Sequence, residues 1–459
     1  MNRVGMGAED MAWNDFRHFL EGLEEAGELR RISKPVSPEF EIAAYIRRAS
    51  DTGGPAFLFD RVQGHPGWTV AAGVYGTYSR LALALGTEVR SVADRYGQAV
   101  REPIAPVVVS DGPVKEVVLR GDQVDCARLP LVKHSEHDAG RYITSGVAFA
   151  RDPETGVLGL SIQRMQLKGP RRFGVNLPGE RRIGRAQAKA EDRGEALPVV
   201  IAIGAGPYVD LGSQAKIPHE EAKLGVAGAL AGRPVEMIKA ETCDLEVPAR
   251  AEIIIEGRIL PKIREPEGPF GEVGGTYGLR GDRHVFEATA LTMRRNPIYQ
   301  TELTGMPTTE NHIMAFPAVA EVTKRLAAQA CPEVRDVHVI GPYYLVIVSI
   351  KKRLEGEARN VILSVLGPTA GAPQAKWAIV VDDDIDVRNW DDVLWAMYTR
   401  VQPERDVMVF PTMVGAPLDP SAPLYRHTSK IGIDATIPLG ADRERYARVR
   451  VPGAEDVTW

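Results

Sequence analysis

The sequence predicts a mixed α/β fold that is built from three domains. At 459 residues, the chain is too long for a single hydrophobic core. Helices and short strands share residues 1–106, strands separated by turn residues dominate residues 107–316, and helices alternate with strands in residues 317–459. These changes of pattern indicate a small N-terminal α/β domain, a β-barrel-like central domain with inserted helices, and a C-terminal α/β layer domain.

Helical periodicity opens the N-terminal domain. We predict that Asn14 caps a helix that ends at Gly27, because apolar residues recur there at i, i+3, i+4 and i+7. These apolar residues are Phe16, Phe19, Leu20 and Leu23. A second helix is predicted over Glu41–Ala49, and two short strands follow at Ala56–Phe59 and Thr69–Ala72. The domain ends in a proline-rich stretch near residue 106.

Short β-branched or alternating segments between turn residues predict the strands of the central domain. These strands are Val107–Val109, Val117–Leu119, Ile143–Ala150, Leu158–Leu167, Val199–Ile203, Ala251–Glu256 and Phe286–Met293. Helical segments interrupt them near Arg185–Arg193 and Glu220–Leu230. Strands in such number, separated by turns, are typical of a barrel or sandwich.

Alternating helices and strands predict the C-terminal layer domain. The predicted helices are Val319–Ala330, Glu357–Leu366 and Val393–Arg400, and the predicted strands are Val337–Ile340, Tyr344–Ile350 and Ala378–Val381. Beyond Gln402 the chain is rich in proline, and we predict an irregular tail.

Composition excludes several classes of function. The net charge of −5 and the absence of a basic block between aromatic residues argue against nucleic-acid binding. The three cysteines, Cys126, Cys243 and Cys331, are far apart, which fits a reducing compartment. No run of 18 apolar residues occurs, and acids stand where a signal peptide would carry its apolar segment. We therefore expect a cytoplasmic protein with no membrane contact.

An unusual acidic segment runs from Glu265 to Gly275, where three carboxylates alternate with glycines and prolines. Proline lacks a backbone donor and glycine loses the most entropy on ordering, so we predict a fixed turn. Such a turn can bring Glu267 and Glu272 to one side of a cleft, which suits proton transfer. The alternative is a solvated acidic turn without a catalytic role.

One basic residue lies within a predicted strand and another just before one. Arg164 stands in the apolar and amide-rich strand Leu158–Leu167, and a buried guanidinium requires a carboxylate partner. An arginine on an exposed edge strand is the alternative. Lys376 precedes the strand that ends at Val381, a position that lysines also occupy without a function. Zinc-protease, nucleophile-elbow and Walker motifs are absent.

Five segments together resemble the UbiD family of decarboxylases over nearly the whole chain. The segments are Trp13–Glu21 with Gly27–Leu29, Ile143–Gly146 through Asp152–Gly156 to Arg164–Gln166, Glu267–Glu272, Val380–Asp386, and Lys430–Thr436. The resemblance implies a split-barrel central domain that binds prenylated flavin mononucleotide (FMN) and a C-terminal domain that mediates dimerisation or higher assembly. It also implies a carboxylic acid substrate and a flavin prenyltransferase that supplies the cofactor.

The resemblance assigns roles to individual residues. Arg164 would hold the substrate carboxylate, Glu267 would fix the guanidinium, and Glu272 would donate the proton. Decarboxylation leaves an electron pair on carbon, so an electron sink and an acid are both required. The implied cofactor-binding residues are Ser161, Ile162, Gln163, Arg164, Arg182, Ser213, Lys223 and Lys376.

The sequence departs from the family at the cofactor phosphate. In the family a divalent metal, commonly manganese, with potassium nearby, binds that phosphate through an asparagine, a histidine and a glutamate. Here the matching positions hold Gly159, Arg182 and Lys223. We therefore expect no metal ligands, and we expect Lys223 and Arg182 to bind the phosphate directly. A shifted alignment that offers Glu220 or Glu221 as a ligand is the alternative.

Three functional hypotheses follow from these residues. The first is a non-oxidative, reversible decarboxylase that acts on an aromatic, heteroaromatic or α,β-unsaturated carboxylic acid. The second is a non-catalytic subunit that has lost the cofactor, against which the intact set of Arg164, Glu267 and Glu272 argues. The third is an ordinary flavin oxidoreductase, although the chain has no dinucleotide-binding fingerprint.

Overall fold

The computed structural model describes residues 13–306, 308–341, 343–367, 374–453 and 457. It contains two compact units, one up to Glu321 and one from Val322 onward. The mixed α/β class predicted from the sequence is confirmed, while the division into three domains stays a prediction. None of the helices in the described ranges has both the length and the apolar character that crossing a membrane requires.

Helices and strands alternate irregularly in the N-terminal unit. Its helices are α1 (Phe16–Glu25), α2 (Glu41–Thr52), α3 (Tyr78–Ala84), α4 (Val92–Arg101), α5 (Arg182–Asp192), α6 (Pro207–Ser213) and α7 (Lys223–Ala231), and α8 (Glu310–Ala330) begins here. Its first strands are β1 (Leu29–Ile32), β2 (Ala56–Phe59), β3 (Thr69–Ala72), β4 (Val107–Val108), β5 (Val117–Arg120), β6 (Tyr142–Ile143), β7 (Val147–Arg151), β8 (Leu158–Ile162) and β9 (Met165–Gly169). The remaining ones are β10 (Arg172–Val175), β11 (Leu197–Ile203), β12 (Glu236–Lys239), β13 (Glu246–Pro248), β14 (Ile253–Glu267), β15 (Phe270–Gly271), β16 (Tyr277–Gly278), β17 (Gly281–Met293) and β18 (Ile298–Thr301).

The first helix buries the face that its periodicity predicts. Phe16, Phe19 and Leu23 are fully buried, because their spacing places them on one side of α1. The predicted cap is wrong by one residue: Asp15, and not Asn14, accepts a hydrogen bond from the backbone N–H of His18. The strands β1, β2, β3 and β18 form a four-stranded sheet in that order.

A nine-stranded sheet dominates the N-terminal unit and runs in the order β6-β9-β10-β17-β14-β11-β7-β8, with β5 paired to β17. Strands β8 and β9 lie toward opposite ends of this order, yet only Gln163 and Arg164 separate them in sequence. The sheet must therefore curl, which is the curvature that a barrel-like domain requires. The split-barrel description itself stays a prediction.

Two predicted strands are each divided in the structure. The segment Leu158–Leu167 breaks at Gln163 and Arg164, where the chain leaves β7 as pairing partner and joins β6 and β10. The segment Ile143–Ala150 breaks between β6 and β7 for the same reason. Pairing with distant strands decides these breaks, so local pattern does not reveal them.

The acidic segment is a strand in its first part, where a turn was predicted. Strand β14 continues to Glu267, which pairs with Gly281 of β17. Pro266 is tolerated because this end of β14 pairs with β17 alone, so its other edge has no ladder to interrupt. The chain turns only afterwards, through the cis peptide bond between Gly268 and Pro269.

The C-terminal unit contains a five-stranded sheet in the order β19-β20-β21-β23-β22. Its strands are β19 (Val334–Ile340), β20 (Leu345–Ile350), β21 (Trp377–Asp382), β22 (Val407–Val414) and β23 (His427–Ala435), and its helices are α9 (Glu357–Leu366), α10 (Trp390–Arg400) and α11 (Pro403–Asp406). The structure differs from the predicted irregular tail, because β22 and β23 complete the sheet. Pro411 stands at a register shift of the edge strand β22, where it interrupts no second ladder.

Candidate active site

Arg164 lies where the chain crosses from β8 to β9, and its side chain turns inward with 13% of its surface exposed. Its Nε and Nη2 donate to the two carboxylate oxygens of Glu267 at 3.2 and 3.0 Å. Its Nη1 contacts Oε1 of Glu272. One guanidinium therefore binds both glutamates that the sequence singled out, and its contact with Glu267 has the bidentate geometry of a strong ion pair. We call these three residues the acid–arginine cluster.

Glu267 is held rigidly within the acid–arginine cluster. It is the last residue of β14, and its side chain is 0% exposed. Gly174 of β10 leaves the room that it occupies, because a Cβ on Gly174 would lie 3.1 Å from Cγ of Glu267. A buried carboxylate needs a paired cation, and Arg164 supplies it.

Glu272 stands on a tight turn rather than in a long strand. Its backbone N–H donates to the carbonyl of Thr276 at 2.9 Å, and its carbonyl accepts from Gly275 at 2.9 Å. Gly275 has φ +78, a conformation that favours glycine. A Cβ on Gly278 would lie 2.8 Å from Oε1 of Glu272, so that glycine keeps the space around the carboxylate open.

Aromatic rings form one wall of the acid–arginine cluster. The Arg164 guanidinium carbon lies 5.1 Å from the centre of the buried Phe270 ring, a cation–π distance. The Tyr142 ring packs on Phe270 with 4.6 Å between the ring centres. Burial and the neighbouring Glu267 charge raise the pKa of Tyr142, which keeps its hydroxyl protonated.

Hydrogen bonds fix the loop that carries Phe270. The Asp138 carboxylate accepts from the backbone N–H groups of Gly271 and Ser135, both at 2.8 Å. Burial raises the pKa of Asp138, although these donors oppose the rise. Gln166 accepts from the N–H of Gly268 at 3.2 Å. The turn is therefore tied to β9, which follows Arg164, and to the loop before β6.

The residues before Arg164 are predicted cofactor ligands and lie beside it. Ser161 and Ile162 end β8, both partly buried, while Gln163 is buried. The amide nitrogen of Gln163 donates to Oγ of Ser161 at 2.8 Å, and its backbone N–H donates to the carbonyl of Gly146 at 3.1 Å. Helices α5, α6 and α7 pack against β8, so residues of these helices lie next to the same strand.

A second group of basic residues surrounds the start of α7. It consists of Arg181, Arg182, Lys216 and Lys223, and we call it the cationic cradle. Nζ of Lys223 is buried and donates to the backbone carbonyl of Ser213 at 2.5 Å. Burial and the charges of Lys216, Arg182 and Arg181 hold the pKa of Lys223 well below its ordinary value.

Arg182 is used differently from what the sequence suggested. Its guanidinium donates to the backbone carbonyls of the loop before α7, at 2.9 Å to Ile217, 3.1 Å to His219 and 2.7 Å to Glu221, and it also contacts the carbonyl of Pro218. In this structure, Arg182 fixes the loop that leads to Lys223. The predicted direct contact with a phosphate stays a prediction.

The shifted alignment is not favoured by the structure. Glu220 and Glu221 are exposed and precede α7, whereas Lys223 is its first residue and is buried. Gly159 faces Arg182, since a Cβ there would lie 3.4 Å from Cβ of Arg182. Gly159, Arg182 and Lys223 supply no anionic or imidazole donor, so this set does not fit a divalent metal. Among the described residues, no group of three His, Cys, Asp or Glu side chains is arranged to hold a metal ion.

Two predicted cofactor residues have internal partners. Oγ of the buried Ser213 donates to the carbonyl of Asp210 at 2.7 Å. The backbone carbonyl of Ser213 accepts a hydrogen bond from Nζ of Lys223. Lys376 belongs to the C-terminal unit, where its Nζ binds the Asp419 carboxylate at 2.7 Å and contacts Oγ of Ser421. A role of Lys376 in cofactor binding stays a prediction.

Sequence reasoning missed the residues that act through packing. Phe270 lies within a family motif and Tyr142 next to one, yet only the fold reveals that the Phe270 ring covers Arg164 and that Tyr142 packs on Phe270. Lys216 lies between Ser213 and Lys223 in sequence, but a single lysine in a loop carries no signal of its own. Gly174 leaves room for the carboxylate of Glu267, which is distant in sequence, and Gly278 leaves room for that of Glu272, which slightly precedes it.

Comparison with family sequence models identifies three consecutive regions. Residues 20–100 match the N-terminal domain, residues 106–307 the Rift-related domain and residues 311–435 the C-terminal domain of UbiD, 3-octaprenyl-4-hydroxybenzoate carboxy-lyase. These matches together extend over most of the chain.

Solved structures of UbiD-class enzymes are similar over almost the full length. The enzyme HmfF of Pelotomaculum thermopropionicum, solved in complex with FMN, is 39% identical with a TM-score of 0.91, and covers 97% of this chain and 99% of its own. An evolved dimeric form of HmfF, solved with prFMN, is 37% identical with a TM-score of 0.87, over 97% of this chain and 98% of its own. The vanillic acid decarboxylase of Sedimentibacter hydroxybenzoicus is 32% identical with a TM-score of 0.83, over 97% of both chains. The 3,4-dihydroxybenzoic acid decarboxylase of Klebsiella pneumoniae is 30% identical with a TM-score of 0.86, over 95% and 96%.

Proposed function

The chain belongs to the UbiD family of carboxy-lyases, and from this premise we propose that it decarboxylates an aromatic, heteroaromatic or α,β-unsaturated carboxylic acid reversibly and without oxidation. The observation that carries the proposal is the acid–arginine cluster, in which one partly buried guanidinium binds two carboxylates from distinct elements. The overall change converts a carboxylate and one proton into carbon dioxide and a new C–H bond. The protein must hold the carboxylate, exclude water and supply that proton.

Prenylated FMN is the cofactor that we assign to the chain, since a relative binds it and the site offers suitable residues. Ser161, Ile162, Gln163 and Arg164 would border the ring system, and Ser213 and Lys223 would lie toward its phosphate. When bound, this cofactor accepts the electron pair that carbon dioxide leaves behind. Its phosphate needs positive charge, which the cationic cradle contains.

Arg164 holds the substrate carboxylate through the nitrogen that now contacts Glu272. Its Nε and Nη2 remain on Glu267, whose position at the end of β14 keeps the guanidinium oriented. A substrate carboxylate that reaches Nη1 takes the place of Oε1 of Glu272. Binding of substrate therefore displaces Glu272 from its ion pair while Glu267 stays in place.

Glu272 is the acid that protonates the product carbon. Loss of its contact with Arg164 removes the cation that stabilises its ionised form. This loss favours a protonated carboxyl at the moment when carbon dioxide leaves. The Gly275 turn allows the short movement that brings this carboxyl to the vacated carbon.

The relatives support an aromatic substrate. Two of them are named for decarboxylation of vanillic acid and of 3,4-dihydroxybenzoic acid, and the aromatic wall here suits a planar ring. We propose a homodimer or higher homo-oligomer in the cytoplasm, loaded by a flavin prenyltransferase. Lys376 would act near the cofactor, by resemblance to the family.

A direct test is production together with a flavin prenyltransferase, followed by assay of an aromatic and acrylic acid panel. We expect a coloured protein, the modified flavin in its mass spectrum, and carbon dioxide release from at least one acid with exchange of labelled bicarbonate. Cofactor-loaded protein that releases no carbon dioxide from any acid would contradict the proposal. Unmodified flavin that turns over with a nicotinamide nucleotide would indicate an oxidoreductase instead.

A further inference from the structure

The cationic cradle concentrates buried positive charge without a matching acid. Lys223 is buried, Lys216 and Arg182 are partly buried, and Arg181 is exposed at the rim. No ion pair of the described residues joins any of the four to a carboxylate, although the charges of the exposed Glu220 and Glu221 act on Arg182 at longer range. A buried ammonium group without a counter-ion is costly, so this region calls for an anion.

The unused hydrogen-bond donors of the cationic cradle also indicate that it binds an anion. A lysine ammonium has three donors, and Nζ of Lys223 uses one of them on the Ser213 carbonyl. The Lys216 side chain forms no hydrogen bond or ion pair within the described residues, and burial with the nearby Arg181 lowers its pKa to about 8. The N-terminus of α7 adds backbone donors, since its first residue follows Ala222, which provides no side-chain cap.

Resting on the function proposed above, we infer that the cationic cradle binds the phosphate monoester of the flavin directly through Lys216 and Lys223, without a divalent metal ion. Arg182 is a positioning residue here, because its guanidinium is committed to the carbonyls before α7. Two ammonium groups match the charge of a phosphate dianion, and Arg181 and Arg182 add further positive charge, so a divalent cation is not required for charge balance. Gly159, Arg182 and Lys223 also offer no donors for such an ion.

The test compares two flavins that differ only in the phosphate. Affinities of the purified full-length chain for FMN and riboflavin are measured by flavin fluorescence, with added manganese or with a chelator. We expect FMN to bind at least about 100-fold more tightly than riboflavin, and both affinities to change less than about twofold with manganese or chelator. Elemental analysis of the FMN complex is expected to find far less than one divalent ion per flavin.

Substitutions of the lysines test which residues cause the preference for FMN over riboflavin. Lys223→Met and Lys216→Met should each lower the FMN-to-riboflavin ratio at least about tenfold and leave riboflavin affinity unchanged, which also reports correct folding. Lys239→Met, at an exposed lysine of β12, is the matched control and should change nothing. Inorganic phosphate should compete with FMN and not with riboflavin.

The outcomes separate this inference from the proposed function. Stoichiometric manganese, release of FMN by a chelator, or an unchanged ratio in Lys223→Met would overturn the metal-free cradle even if carbon dioxide is released. Tight, metal-independent FMN binding in a protein that decarboxylates no acid would uphold the cradle and remove the proposed activity. Failure to bind either flavin would overturn both.

Discussion

The acid–arginine cluster and the cationic cradle both lie in the N-terminal unit, but they balance positive charge in opposite ways. Arg164 contacts two carboxylates of its own chain, so the cluster is complete without a ligand. Lys216 and Lys223 have no carboxylate partner among the described residues. The proposed substrate carboxylate would therefore replace one carboxylate partner of Arg164, whereas the phosphate would be the first anionic partner of the two lysines.

Replacing the displaced acid should have the largest effect. Glu272→Gln keeps the shape of the side chain but removes the proton that reaches carbon, so we expect the decarboxylation rate to fall about 10³-fold. FMN affinity should not change, because the cradle is untouched. The measurement is initial-rate carbon dioxide release together with flavin content, and Glu221→Gln, an exposed acid, is the control. Normal turnover in Glu272→Gln would remove this residue as the acid.

Replacing Glu267, the acid that stays on Arg164, should lower the decarboxylation rate less than replacing Glu272. Glu267→Gln leaves Arg164 with one ionised partner, and the guanidinium then loses its bidentate support. We expect kcat to fall about 10²-fold through misorientation of the substrate carboxylate. Flavin binding should again be unchanged in fluorescence titration. An effect on flavin binding as large as that on kcat would show that the two regions are not independent.

We expect Arg182 to support flavin binding without causing the preference for the phosphate. Arg182→Lys cannot reach the several carbonyls that the guanidinium serves, so the loop before α7 should loosen. We expect FMN and riboflavin affinities to fall together, by about tenfold, with their ratio preserved. Loss of the ratio alone would mean that Arg182 contacts the phosphate itself.

A third region of the N-terminal unit contains buried acidic side chains. We expect a substitution there to have the smallest effect. Asp210, Glu302 and Glu310 are buried around Tyr75, whose hydroxyl donates to Asp210 at 2.8 Å. Burial raises the pKa of Asp210 to about 7, from 3.8, and that of Glu310 to about 7, and burial also raises the pKa of Glu302. Burial therefore favours the protonated, neutral form of these carboxyl groups.

The stability of the folded state should fall as the pH rises toward the pKa of Asp210. Because the pKa of Asp210 is higher in the folded state, the folded state binds more protons between pH 3.8 and about 7. The stability that this proton contributes is fully present below pH 3.8 and is lost as the pH rises through 7. We expect Asp210→Asn to reduce the loss of stability between pH 6.5 and 7.5, by an amount on the order of 1 kcal/mol or less. Thermal unfolding at both pH values measures it, with exposed Asp122→Asn as control. An equal pH slope in wild type and Asp210→Asn would contradict the assignment.

Much of the fold could be predicted because local pattern decides it. Phe16, Phe19 and Leu23 revealed α1, and the strands Ala56–Phe59 and Thr69–Ala72 have the bounds that were predicted. Strands β22 and β23 were missed because prolines in the region argued for irregular chain, whereas the pairing of β23 with β21 and of β22 with β23 decides their structure. The family resemblance, carried by motifs spread over the chain, is confirmed.

The candidate site was predictable in its charged residues and not in their surroundings. The spacing of Glu267 and Glu272 drew attention to both acids, and both contact Arg164. Neither the rings over Arg164 nor the unpaired state of Lys216 could be read from sequence, since both depend on contacts between distant segments. The direct engagement of Arg182 with backbone carbonyls was likewise invisible until the loop before α7 was placed.

The ribbon formed by β14 and β17 has a consequence for altering this chain by insertion or deletion. Glu267 is in register with Gly281, so one residue added in β14 just before it would turn the carboxylate to the opposite face. Gly274 and Gly275, by contrast, lie in the turn between β15 and β16. An insertion at this turn would therefore leave Glu267 in place and displace Glu272, which stands on the same turn, so changes of length there would separate the two acids.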